Sequence, residues 1–435
     1  MKSLSQTIDP ARLLVVVTTL AVCVSCAHGD RANWGKGIAR VAPMFTGVGA
    51  LPSGPYESIA EDVSADGPTV VGSSGYYEFV ENGQPQHIQG KPFRWTPTTG
   101  MVELQSFKID HVGGAALAIS ENADIIVGYG YIRWDTPSEL GFEGSLWAAP
   151  AQTLETLVPL NGYTYARAVG YSEDRELVAG YSQLTGAGSP PSERACVWSR
   201  WGPPIGLSEN APGAVASHSQ ATAISKTGTS VVGFGWQVEG SDTFIRPCIW
   251  QSSPTGVASI PPGPSPNPIG TTWLFGFTQS FLPLLDGTTE GLALDISDQG
   301  EVIVGHCSRP DHFTIPCKWE RDRHLGTYTA HPITPLPDAN TGTATAVAGD
   351  GQVIVGYTSG LVGEDYIVKG WIWSQTNSTR VLADALSAEG LSQALQGWSQ
   401  LEPHGISADG TVVVGRGAHE GKPDYEGWVG RLSNP

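Results

Sequence analysis

Positive charge is scarce in this sequence. Lys and Arg number 24 against 42 Asp and Glu, a formal net charge of −18 over 435 residues. Phosphate backbones and anionic lipid surfaces are bound through Lys and Arg, so the balance argues against nucleic acid as a partner. Cysteine is scarce as well: six residues do not make a disulfide scaffold in a chain this long. The ten histidines include no His-x-x-x-His pair, and no Cys-x-x-Cys spacing occurs beyond the N-terminal apolar run and its flank, where Cys23 and Cys26 stand. Neither a metal site nor a cofactor is therefore expected. There is no Gly-x-Ser-x-Gly nucleophile elbow and no phosphate-binding P-loop, so the motifs assign no catalytic residue. Apolar runs are short. The longest, Leu13 to Val24, is twelve residues, too few for an ordinary membrane span.

That run has another use. Lys2 and Arg12 precede it and small residues follow, the pattern of an export signal. Two processing outcomes stand side by side. Ser25-Cys26 resembles the end of a bacterial lipoprotein box, which makes Cys26 a lipidation site. Cleavage near Ala27 gives a freely secreted chain. The expectation is a signal at 1–26, a linker at 27–44 and one domain at 45–435. The protein is expected to be exported: secreted, periplasmic, or held at the outer membrane by a lipid. A membrane enters only through that anchor.

What the sequence has in abundance is turn residues and a repeat. Gly (55) and Pro (32) suit many tight turns between short strands. One pattern, Ala-x-x-Ile-Ser-x-Asp-Gly-x-x-Val-Val-Gly with variations, recurs seven times, ending at Gly72, Gly128, Gly180, Gly233, Gly305, Gly356 and Gly415. Periods near 50 residues mark propeller blades. Each copy reads as a β-hairpin. His404-Gly405-Ile406-Ser407 leads into the turn Ala408-Asp409-Gly410, and Thr411 to Gly415 forms the return strand. Gly supplies the positive φ that such a turn needs. The serine before the turn (Ser64, Ser120, Ser172, Ser225, Ser297, Ser407; Ala348 in the sixth copy) is expected to bond turn backbone, as Ser commonly does. A third strand ends in Trp at Trp95, Trp147, Trp198, Trp250, Trp319 and Trp373, with Trp428 displaced in the seventh copy. One large ring per copy fits a wedge between adjacent sheets. A short apolar fourth strand, as in Gly100 to Leu104, completes the unit. The last copy ends without one, and Phe45 to Leu51 is an orphan segment of that type. The expected fold is all-β: a seven-bladed propeller of four-stranded antiparallel blades, closed by an N-terminal strand.

The repeat resembles the HAF-type extracellular repeat of bacterial exported proteins. The likeness rests on Ser64 to Gly72 followed by Pro92-Phe93-Arg94-Trp95, and it covers about residues 45–430. It departs in that no copy reads His-Ala-Phe. Chromatin-regulator-like and kelch propeller repeats share parts of the pattern. The resemblance implies export and repeat architecture, and no reaction or ligand.

Function is sought where loops are long, because a rigid scaffold presents its binding residues there. The connections after each Val-Gly (Ser73–Lys91, Tyr129–Glu143, Tyr181–Arg194, Phe234–Arg246) predict one elaborated face. The longest insertion carries Trp273, Phe275 and Phe277. Together with Tyr76 and Tyr77 these aromatics are candidate contacts for a glycan or protein ligand; the alternative is burial on the propeller. Asp62, Asp295, His218 and His404 are candidates for the channel mouth; the other reading of Asp62 and Asp295 is a solvated, water-bonded carboxylate. Pairing of Gly305 with Trp319 would set Cys307 opposite Cys317 as a disulfide. Cys196 and Cys248 read as buried thiols. The expectation is a monomeric, non-catalytic binding module. A propeller hydrolase or lyase acting on polysaccharide is the alternative.

Overall fold

The structure is a computed structural model. It describes residues 42–435 except 53–54, 66, 68, 82–83, 106–110, 134–139, 150–152, 187–188, 200–201, 208, 210, 254–275, 335, 337–340, 363–364 and 434. The segment expected to be an export signal, Cys26, Trp273 and Phe275 lie outside the described residues. Among the described residues, no helix is long and apolar enough to cross a membrane.

Each repeat copy folds as an antiparallel meander. In the first, Ser58–Val63, Val70–Glu81, Gln84–Thr96 and Gly100–Glu103 lie side by side in chain order. The first strand of every meander touches the first strand of the next, and Trp398–Ile406 of the seventh touches Ser58–Val63 of the first. The ring is thus continuous, with these strands innermost. Among the described residues the strands form five separate four-stranded sheets and one of eight strands. Seven separate sheets were expected. The difference lies at one point: the third and fourth meanders are joined by a single parallel pairing, Glu193 with His218.

The last sheet takes its outermost strand from the other end of the chain. Met44–Gly49 pairs antiparallel with Tyr425–Arg431, as the orphan segment predicts. Phe45 fixes it, packing edge-on against Trp398 at 5.3 Å and beside Trp428 at 5.7 Å. The short helix Leu382–Leu386 buries Leu382 and Leu386 in the same cluster.

The repeat residues have physical reasons. Every innermost strand carries a β-bulge, at Ala60/Asp62 in the first copy and at the matching place in the other six. The bulge pushes a carbonyl onto the facing Val-Gly glycine. A Cβ there would lie 1.9–2.1 Å from that oxygen in all seven copies, closer than any side chain tolerates. The turns place Gly67, Gly228, Gly300, Gly351 and Gly410 at φ between 63 and 76°. The serine hydroxyls accept from the returning strand as expected: the Ile125 amide is 2.8 Å from Ser120 Oγ and the Val412 amide 2.9 Å from Ser407 Oγ. Successive turns also bond one another, Asp298 N–H to Gly349 O and Gly349 N–H to Ala408 O, both at 2.9 Å.

The tryptophans fill the wedges. Trp250 packs with Leu177 and Ala179 of the preceding meander, and Trp319 with Val232 and Ile249 of its own predecessor. Trp319 donates its indole N–H to Pro283 O at 2.7 Å. In the seventh copy Trp428 faces Gly415, the place Phe93 occupies opposite Gly72, which explains its displaced position. Trp371 takes that place in the sixth copy, opposite Gly356, and is fully buried, whereas Trp373 is half-buried.

Two expectations change here. The connections after Val-Gly are largely not loops. The hairpin strands run on through them, as Val70–Glu81 with Gln84–Thr96 and Ser230–Glu239 with Asp242–Ser253, so the elaborated end carries β-ribbons. The fourth copy draws its outermost strand from Gly276–Phe281. Phe277, read from the sequence as either a ligand contact or a ring buried on the propeller, is buried in a wedge with Trp250 because strand pairing turns it inward.

Candidate functional site

The innermost strands bring side chains of different copies together at the axis. The bulge residue of the first copy is Glu61, and that of the seventh is His404. His404 Nδ1 lies 2.8 Å from Glu61 Oε2, and its Nε2 lies 3.8 Å from Glu402 Oε1. Glu402 also takes the Arg416 guanidinium, with Nε and Nη2 each 3.0 Å from Oε2. Burial pushes the Glu61 carboxyl up, but His404, Arg167 and Arg416 together hold it below the usual carboxylate range.

Arg167, from the third copy, completes the charged group. Its guanidinium stacks over the Tyr129 ring at 4.3 Å, and its Nη1 reaches Tyr181 Oη at 3.5 Å. Tyr129 in turn meets Tyr131 and Phe142 edge-on at 5.2 and 5.6 Å. Burial disfavours the Arg167 charge, and the surrounding tyrosine oxygens more than offset this, so the guanidinium is held protonated. The second and third copies thus present a cation set among aromatic rings, while the seventh and first present a carboxylate–imidazole pair.

Asp62 and Asp295 occupy matching places in the first and fifth copies. Asp62 accepts from its own neighbour Val63 N–H at 2.8 Å and from Ile119 N–H of the next copy at 2.9 Å. Asp295 does the same with Ile296 and Val347, both at 2.8 Å. They clamp adjacent innermost strands. Burial raises Asp62 to about 7, with the negative charges of Asp295 and Glu61 adding to the shift. It raises Asp295 to about 6. Thr222 and Thr345 serve the same stitching role, donating to Ala293 O at 2.8 Å and Pro403 O at 2.9 Å of the next copies.

Of the four residues expected at the channel mouth, Asp62, Asp295 and His404 lie on the innermost strands at bulge level, and Asp62 and His404 are joined to the charged group through Glu61. His218 stands apart, its ring 4.6 Å from that of Trp236. Tyr76 is half-buried on a strand, and the backbone of Tyr77 follows it in the same strand. Glu61, Arg167, Glu402 and Arg416 were not singled out from the sequence. Arg167 and Glu402 share one position, where the other copies carry Ile59, Ala115, Gln220, Leu292 and Thr343, and Glu61 stands where others carry Leu117, Val169, Thr222, Leu294, Thr345 and His404; a fixed charge at these positions is the signal that marks them.

The four cysteines among the described residues are free thiols. Gly305 pairs with Cys317, two residues from the register assumed for a bridge, so Cys307 faces Ile315. The Cys307 and Cys317 sulfurs are unbonded, 3.6 Å apart and buried. Cys196 and Cys248 are fully buried as expected, and burial pushes the Cys196 thiol up to about 12. Among the described residues, no group of three His, Cys, Asp or Glu could hold a metal ion.

No protein-family model and no curated protein matches the sequence. Among solved structures, the chain is similar to the periplasmic gluconolactonase of Pseudomonas aeruginosa, at 12% identity over 82% of this chain and 88% of that one, with a TM-score of 0.39. It is also similar to TolB of Acinetobacter baumannii, at 11% identity over 85% of this chain and 81% of that one, with a TM-score of 0.38. Likeness at this level carries no argument about ligand or activity. The assignment as an all-β propeller of small antiparallel sheets rests on the strand order.

Proposed function

We propose that this protein is an exported binding module, a seven-bladed propeller that takes a glycan or protein ligand at its central channel. In this reading the eight-stranded sheet counts as two blades, since one residue pair alone joins its halves. Export follows from the basic N-terminus and short apolar run, with secretion and anchoring through Cys26 both open to it. The HAF-type resemblance agrees with an extracellular setting. The acidic charge disfavours nucleic acid.

The observation that carries the binding reading is the charge held on the innermost strands. Glu61, Arg167, Glu402 and His404 come from three different copies and are fixed by each other and by aromatic neighbours. A ring held together only by packing has no use for such groups, because burying charge costs stability. Charged groups locked on rigid strands are prearranged for a polar ligand.

The test is a glycan-array screen of the protein beside a Glu61→Ala/His404→Ala variant. Specific binding that the variant loses is the expected result. Binding that the variant keeps would move the site away from the channel. The second reading, a hydrolase or lyase acting on polysaccharide, is favoured by one feature, the 2.8 Å pairing of His404 with Glu61. A carboxylate that orients an imidazole is a general-base arrangement. Release of new sugar ends from polysaccharide, abolished by His404→Ala, would establish it.

A further inference from the structure

We infer that Arg167 is the anchor for a carboxylate on the ligand, and that the ligand is a sugar acid of the hexuronate type. This rests on the channel-binding reading above and makes it specific.

Arg167 and Arg416 make the contrast. Both arginines neighbour Glu61, and both lower its pKa. Arg416 is saturated: Glu402 takes two of its nitrogens, and the Tyr425 ring covers its face at 5.1 Å. Arg167 has aromatic cover on its face from Tyr129, yet among the described residues no carboxylate comes within 4.0 Å of it. Its Nε is shut off from solvent and has no hydrogen-bond partner among the described residues. A guanidinium offers five in-plane donors, and the one in-plane contact to a side chain here is Tyr181 Oη, at the long limit of 3.5 Å. Such a cation is costly to bury unless something anionic meets it.

The surroundings select the anion. A carboxylate is planar and singly charged, and two parallel N–H groups of one guanidinium fit it as a fork. Phosphate brings more negative charge toward Glu61 and Glu402, which like-charge repulsion disfavours. The same carboxylate and imidazole groups accept from and donate to hydroxyls, so the rest of the ligand is polyhydroxylated. Carboxylate and hydroxyls on one small body describe a sugar acid.

The experiment is calorimetric titration of the protein with galacturonate, galactose and inorganic phosphate, repeated on Arg167→Met and Arg167→Lys. Lysine keeps the charge but not the fork, so it guards against loss of fold. We expect galacturonate to bind at least about tenfold more tightly than galactose or phosphate, a ratio of the size one charge-assisted fork supplies. Arg167→Met should bring galacturonate down to the level of galactose, and Arg167→Lys should fall between. Equal binding of galacturonate and galactose, unchanged in both variants, would overturn the carboxylate anchor while leaving a channel that binds neutral sugar. Phosphate binding tighter than galacturonate would replace the sugar acid with a phosphorylated ligand. Failure of all three probes on folded protein would overturn the inference; whether the channel binds at all is then read separately from the array.

Discussion

Asp62 and Asp295 do the same job in two copies, and their shared burial makes stability depend on pH. Each carboxylate joins a bulge to the N–H of the next copy. In the unfolded chain an Asp loses its proton near pH 4. In the folded chain Asp62 holds it to about 7 and Asp295 to about 6. Between those values the folded state binds more protons, so stability falls as pH rises from about 4 to 7 and is flat beyond. Each group contributes a slope of at most about 1.4 kcal/mol per pH unit. Glu61 acts in the opposite sense: its lowered pKa stabilises the fold above the usual carboxylate value, and that contribution is lost as pH falls below it. Urea unfolding at a series of pH values should therefore show a maximum near pH 4–5. Asp62→Asn should flatten the decline between pH 4 and 7 while lowering the midpoint throughout, because its amide would set one N–H against another. A decline as steep in the variant would assign the effect elsewhere. The sequence showed these aspartates by their repeated position but not their bonds, since the partner N–H belongs to the neighbouring copy. Arg167 and Glu61 were harder still. Nothing local in either strand says that Glu61 will meet His404 of the seventh copy or that Arg167 will stack on Tyr129 of the second.

At the scale of the hairpin, far more could be read in advance. The serine, the turn glycine and the Val-Gly ending are set by contacts inside a stretch of about a dozen residues, where spacing carries nearly all the information. The bulge was not visible, although the glycine it imposes was. Gly233→Ala would put a Cβ 2.0 Å from Gln220 O, and neither strand can yield without breaking the ladder. It should destabilise by on the order of 3 kcal/mol. The second copy offers the reverse case. Ala123 holds φ 59° where five other copies have glycine. Ala123→Gly should stabilise by about 0.5–1 kcal/mol, as relief of backbone strain exceeds the added chain entropy. Both are measured by urea denaturation. The ribbons that replaced the expected loops show the limit of this scale, because a strand can continue past its motif with polar residues on both faces. The register of Cys307 and Cys317 slipped by two residues for a related reason: alternation fixes which face a residue takes, not which partner it meets.

For the whole molecule, the informative element is the strand Met44–Gly49. Its role could be inferred because the last copy was one strand short and an orphan was left at the other end. Without it Tyr425–Arg431 would present an unpaired edge, and Phe45 would leave a gap beside Trp398 and Trp428. Deleting residues 42–49 should lower the melting temperature, broaden the calorimetric transition and promote association seen by light scattering. An unchanged, sharp transition would mean that the ring does not depend on this tie.

The same tie sets an order of events during synthesis. The strand that leaves the ribosome first of all those in the sheets is the one whose partner is made last. Every other strand finds a neighbour within a few dozen residues, but Met44–Gly49 must stay unpaired, and available to wrong partners, until Tyr425–Arg431 has been made. The first strand made is the last one set in place.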